Sequence, residues 1–130
     1  ACAPKQLGVI TLLRMEGLTD KVISDPLIQQ MGHLRIGQLS GGQYKYLMAF
    51  ILLHSAAPFI ILDEPFAALS PVMAEQMAGL IRRAQADKGI ILSDHHYAMV
   101  SQLSHQLIYI DDGRCHEVDD ITELHGTYYR

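Results

Sequence analysis

A chain of 130 residues, 49% hydrophobic and 18% charged, is long enough to bury a core around apolar strands, and it lacks the polar, low-complexity signature of disorder. A net charge of −4 with no cluster of Lys and Arg excludes a protein whose main business is coating nucleic acid, because counterion release needs such clusters. No apolar run approaches the roughly 20 residues that span a bilayer, so no direct membrane insertion is expected. The opening Ala1-Cys2-Ala3-Pro4-Lys5 has no signal-peptide layout. It begins without Met, as a processed or excised piece would, or a chain trimmed of its initiator. Cys2 and Cys115 show no zinc spacing and read as reduced thiols in a cytosolic setting.

In chain order, Leu7 to Gly37 carries short helical patterns broken by glycines, with Asp25-Pro26 as a cap and first turn. A strongly apolar helix follows from Tyr44 to about His54, with Leu47, Met48, Ile51 and Leu52 at core spacing. Phe59-Ile60-Ile61-Leu62 reads as a strand buried on both faces of a parallel sheet, ending in Asp63-Glu64-Pro65. Ser70-Pro71 caps a helix to about Ala86, its inner stripe Val72, Met73, Met77, Leu80, Ile81 and Ala84. Gly89 to Ser93 is a second apolar strand running into Asp94-His95-His96, followed by a helix with Met99, Val100 and Leu103. Leu107 to Ile110 and Arg114 to Val118 form a hairpin around Asp111-Asp112-Gly113, and a short helix runs from Asp120 to Gly126. The alternation predicts an α/β layered fold with a largely parallel sheet, preceded by a helical insertion.

Three segments carry chemistry. At Leu39-Ser40-Gly41-Gly42-Gln43 a hydroxyl and two unencumbered backbone amides sit at a helix start, where the macrodipole favours negative charge. Alone, the segment reads either as a phosphate site or as a plain Ser N-cap on a glycine-rich turn. Asp63 and Glu64 put two carboxylates at a strand tip, one suited to a hard cation and one to a nucleophile. His95 follows the second strand. His33, His54, His105, His116 and His125 have no ligand spacing.

Residues 39–43 are identical to the LSGGQ signature of ATP-binding cassette (ABC) ATPases, the stretch Phe59 to Pro65 resembles that family's Walker B segment, and Asp94-His95-His96 resembles its switch loop. The resemblance covers about residues 20 to 118. It implies a P-loop NTPase-like cassette, with residues 1–55 as a helical signature subdomain and 56–130 as the C-terminal part of the core. It further implies that Asp63 holds Mg²⁺ through its water shell, that Glu64 is the general base, and that His95 contacts the γ-phosphate. Ser40, Gly41, Gly42 and Gln43 would serve ATP held by a partner cassette. The family's D-loop has Ser and Asp where this chain has Ala67 and Ser70, which puts coupling across a dimer in doubt. Family members also place two or three basic residues after the signature, whereas Tyr44-Lys45-Tyr46-Leu47 keeps only Lys45. Tyrosines two apart do not share a helix face, so they are expected to pack the helix on the sheet, not to stack bases.

No GxxxxGK[ST] segment exists, nor any Gly followed by Lys, so a phosphate cradle is expected from a missing segment or a partner. Gln6 is a candidate remnant of the family's glutamine loop. The resemblance implies an ATPase subunit of a membrane transporter, cytoplasmic and peripheral at the inner face of the membrane. It would form a homo- or heterodimer with another cassette and work with a transmembrane permease, without nucleic acid. A non-catalytic half acting in trans is the alternative. A DNA-repair or translation cassette is a further one, disfavoured by the absence of heptads and basic extensions. The isolated chain is expected to be inactive, and to associate through open strand edges and apolar faces.

Overall fold

Each main helix starts where the sequence supplies a cap. The computed structural model describes residues 4–22 and 24–119, and within them α1 (Val9–Met15), α2 (Thr19–Val22) and α3 (Pro26–Met31) form a small helical layer. Asp25 caps α3 by accepting the amides of Leu27 at 3.0 Å and Ile28 at 3.1 Å, and Pro26 follows at the first helical position, where its missing N–H costs nothing. The apolar helix α4 spans Gly41–Leu53 and β1 spans Phe59–Asp63. Ser70 caps α5 (Pro71–Ala84) by accepting the Met73 amide, and β2 (Gly89–Ser93), α6 (Tyr97–Leu103), β3 (Leu107–Asp111) and β4 (Arg114–Val118) complete the order.

The α5 crossover joins β1 to β2 in parallel, with Phe59 opposite Gly89 and Asp63 opposite Ser93. Gly89 is required there: a side chain at this position would begin 2.5 Å from the Phe59 ring. β3 and β4 form a separate antiparallel hairpin, and its turn has Asp112 at φ 46° and Gly113 at φ 73°, the left-handed pair of a type I′ turn. The whole is an α/β layered fold with a parallel strand pair and covering helices. The expected helix from Asp120 lies outside the described residues, as do Cys2 and His125.

Three expectations change. β1 is not buried on both faces: Ile60 and Leu62 are buried under α4 and α5, while Phe59 and Ile61 are 80% and 72% exposed. Helices cover one face of the strand pair among the described residues, and β1 has β2 as its one strand partner there, so it lies at a sheet margin and not in an interior. On α4 the buried residues are Tyr46, Leu47, Ala49, Phe50 and Leu53, with Leu52 exposed; on α5 Val72 is exposed and Ala74 and Ala78 are buried instead. Tyr46 packs against the helical layer, not the sheet: its side chain is fully buried and its hydroxyl donates to Asp25 Oδ2 at 2.6 Å. One continuous cluster runs from Val9 and Leu13 through Phe50 and Ile81 to Leu103.

Asp25 thus satisfies two helix amides and one buried phenol. Burial, and then the Asp25 carboxylate beside it, hold the Tyr46 hydroxyl well above the ordinary phenol range. Replacing Asp25 with Ala removes the cap and orphans the hydroxyl, and should lower stability by about 2–4 kcal/mol in urea unfolding. The folded chain keeps the Tyr46 proton where the unfolded phenol, with its ordinary value of 10.0, releases it. Stability should therefore be full below about pH 10 and fall as pH rises beyond it, a fall that Tyr46→Phe lacks when the two proteins' unfolding midpoints are compared. The open face of Phe59, Ile61 and Ile91 should make the chain self-associate. Light scattering should show a molar mass that rises with concentration, and Ile61→Ser should lower it.

Candidate functional site

β1 delivers Asp63 to its C-terminal end, and the backbone then bends sharply. Glu64 at φ 50° and Ala68 at φ 61° both occupy the left-handed region, which costs a residue with a β-carbon on the order of 1–2 kcal/mol. Such strain persists only where the surroundings over-determine it. Here the Glu64 amide donates to the Ser93 carbonyl at 2.6 Å and the Phe66 amide to Asp94 Oδ2 at 2.8 Å. The other Asp94 oxygen accepts the His96 amide at 2.8 Å, so one carboxylate shapes the loops after both strands. From the opposite side the Lys45 ammonium donates to the carbonyls of Glu64 at 3.0 Å and Ala67 at 2.9 Å.

The bend turns Glu64 toward the second strand's loop, where its Oε1 lies 3.0 Å from His95 Nε2. Asp63 and Ser93, directly opposite in the strand register, hydrogen-bond through Ser93 Oγ and Asp63 Oδ1 at 2.6 Å. The carboxylates are open to water: the Asp63 side chain shares the exposed face of β1, and the Glu64 and His95 side chains are 48% and 84% exposed. In this environment the Glu64–His95 contact orients two groups and adds little stability. His96 caps α6 through Nδ1, which accepts the Met99 amide.

At the start of α4, Ser40 Oγ accepts the Gln43 amide at 3.1 Å while Gln43 Oε1 accepts the Ser40 amide at 2.9 Å, a reciprocal capping box. That cap leaves the Ser40 hydroxyl proton to donate. The amides of Gly41 and Gly42 have no acceptor among the described residues. A β-carbon at Gly41 would meet open space, whereas one at Gly42 would touch Leu69 and Met73 of the next loop and helix. An open groove of about 340 Å³ is lined by Gly41 and Asp63 among mostly apolar neighbours, Met48, Ala49, Leu52, Leu62 and Met77. Of the seven residues singled out from the sequence, Gly41 and Asp63 line that groove, Glu64 and His95 meet each other between the loops after β1 and β2, and Ser40, Gly42 and Gln43 sit with Gly41 at the start of α4. Gln6 is exposed on a short 3-10 turn. Sequence reasoning missed Asp94 and Ser93 as organisers of the site and gave Lys45 no task there.

Among the described residues no three His, Cys, Asp or Glu side chains group as ligands, so a dedicated all-protein metal cage is not offered. Mg²⁺ does not need one: it keeps its waters and binds through one or two carboxylates plus substrate phosphates, a donor set that Asp63 fits. The amides and hydroxyl at the α4 start suit a phosphate in the same way.

No family model matches the chain. Over 114 residues, 83% of this chain, it is 31% identical to the thiamine import ATP-binding protein ThiQ of Cereibacter sphaeroides, and the match takes in 49% of that protein. The chain thus spans about half the length of this curated relative. A solved ATP-binding subunit of an ABC transporter superposes with a TM-score of 0.66 at 23% identity, over 94% of this chain and 57% of that one. A dimeric ATP-binding cassette in a post-hydrolysis state with ADP and Pi superposes with a TM-score of 0.67 at 19% identity, over 87% and 57%. These structures carry the fold, and the curated relative carries the sequence. With the fold in accord, the sequence relative carries the assignment: the chain belongs to the ATP-binding cassette family.

Proposed function

We propose that the chain is the signature-bearing part of the ATP-binding subunit of an ABC transporter, with residues 1–55 as its helical subdomain and 56–130 as the C-terminal part of its core. The observation that carries this reading is the 3.0 Å contact of Glu64 with His95, next to Asp63 at the end of β1. Import ATP-binding proteins among the relatives support it. The chain would work at the cytoplasmic face of a membrane with a permease and a second cassette. Among the described residues no helix is long and apolar enough to cross a membrane.

In this reading Asp63 holds Mg²⁺, steadied by Ser93, and the ion when bound neutralises charge on the phosphates of ATP. Glu64 takes the proton of the attacking water, and its left-handed backbone aims the carboxylate at that task. His95 orients Glu64 and donates to the terminal phosphate from its exposed ring. Ser40 and the Gly41 and Gly42 amides meet the phosphates of a nucleotide cradled by another cassette, and Gln43 keeps the helix start in shape. A positioned base without a phosphate cradle lacks most of the transition-state stabilisation.

The chain alone is therefore expected to show no Mg²⁺-dependent ATP turnover. Assembled with a P-loop-bearing cassette segment it should hydrolyse ATP, and Glu64→Gln should cut kcat by about 100-fold or more with KM for ATP little changed. Robust turnover by the pure chain, or an assembled cassette indifferent to Glu64→Gln, would refute the reading. Ser40→Ala should instead raise KM at the composite site, as measured by steady-state phosphate release.

A further inference from the structure

Lys45 is half-buried, and its ammonium is spent on two backbone carbonyls, those of Glu64 and Ala67, which lie 19 and 22 residues away in sequence. An exposed carboxylate within reach would be the ordinary partner for a lysine on the first turns of a helix, yet none pairs with it among the described residues. The two carbonyls belong to the segment bracketed by the left-handed residues Glu64 and Ala68. The other polar anchors of this segment, Ser93 O, Asp94 Oδ2 and His95 Nε2, come from the second strand and its loop. Lys45 is the polar tie from the signature helix, five positions after Ser40 on a continuous, capped helix.

From this geometry we infer that Lys45 is a positioning residue: it fixes the loop that carries Glu64 to the start of α4, so that the placement of the Glu64 carboxylate against His95 follows the placement of the glycine-rich helix end. An ammonium suits the task because it has three donors and no acceptor, and can hold carbonyls that converge from different peptide planes. The inference rests on the reading of Glu64 as general base for its consequence in turnover, but not for its mechanical content. The tie exists whether or not the carboxylate acts on water.

The test is backbone hydrogen exchange on the chain with Lys45→Met and Lys45→Arg. With Met, which keeps the stem and loses the donors, exchange of the amides from Phe66 to Leu69 should rise about tenfold or more, while the amides of α5 and the urea midpoint stay close to wild type. With Arg, which restores donors, exchange should return toward wild type. Unchanged exchange in the Met variant, a rise spread evenly over the chain, or an Arg variant as loose as the Met variant would each overturn the proposal. Should the Met variant fail to fold, Lys45→Gln, whose shorter side chain cannot reach as far with its amide, is read by the same criteria. In the assembled cassette Lys45→Met should lower kcat and leave KM for ATP in place. If Glu64→Gln proved harmless while the exchange pattern held, the catalytic reading would fall and the tie would stand.

Discussion

Helix α4 is held by polar groups on two sides, and that double attachment organises the molecule. On one side Tyr46 reaches into the helical layer and donates to the buried Asp25. On the other, Lys45 grips the backbone after β1. Adjacent residues on a helix point about 100° apart, so a pair at 45 and 46 can serve two different neighbours at once. Between these ties the apolar body of α4 packs on α5 and on Ile60 and Leu62 of β1. The helical layer, the glycine-rich helix end and the acidic strand tip therefore share one rigid reference.

Much of the fold was legible because its punctuation is chemical. Asp25-Pro26 and Ser70-Pro71 announce helix starts, Asp111-Asp112-Gly113 a tight hairpin, and the two short apolar runs the parallel pair. What misled was orientation. A continuous apolar run such as Phe59 to Leu62 has the same composition whether one face is covered or both, and only the arrangement of neighbouring elements decides. α4 is apolar nearly all round, so no stripe distinguishes Leu52, which is exposed, from Leu53, which is buried. α5 is amphipathic, and there Met77, Leu80, Ile81 and Ala84 were found where the pattern put them. Val72 failed because it points to solvent, while Met73 and Ala74 on the same turn face the core.

The chemistry was legible for another reason: ligand-binding motifs are local in sequence. Ser40 to Gln43, Asp63 with Glu64, and His95 each declare themselves within a few residues, and the fold brings Glu64 to His95 and Asp63 to Ser93. Their supports are not local. Asp94 bridges the loops after β1 and β2, and Lys45 spans some twenty residues to reach two carbonyls; neither pattern has a spacing that a linear reading could recover. The departure from several basic residues to a single lysine after the signature was visible, but its use was not.

The left-handed backbone at Glu64 sets a boundary on how this chain can be improved. Glycine is the occupant that such a conformation would favour on thermodynamic grounds, so a carboxylate there is kept against the preference of the main chain. Selection for thermal robustness alone would drift toward the residue that abolishes the acidic group. Stabilising substitutions are better sought on the solvent side of α5, where no side chain is held in opposition to its own backbone.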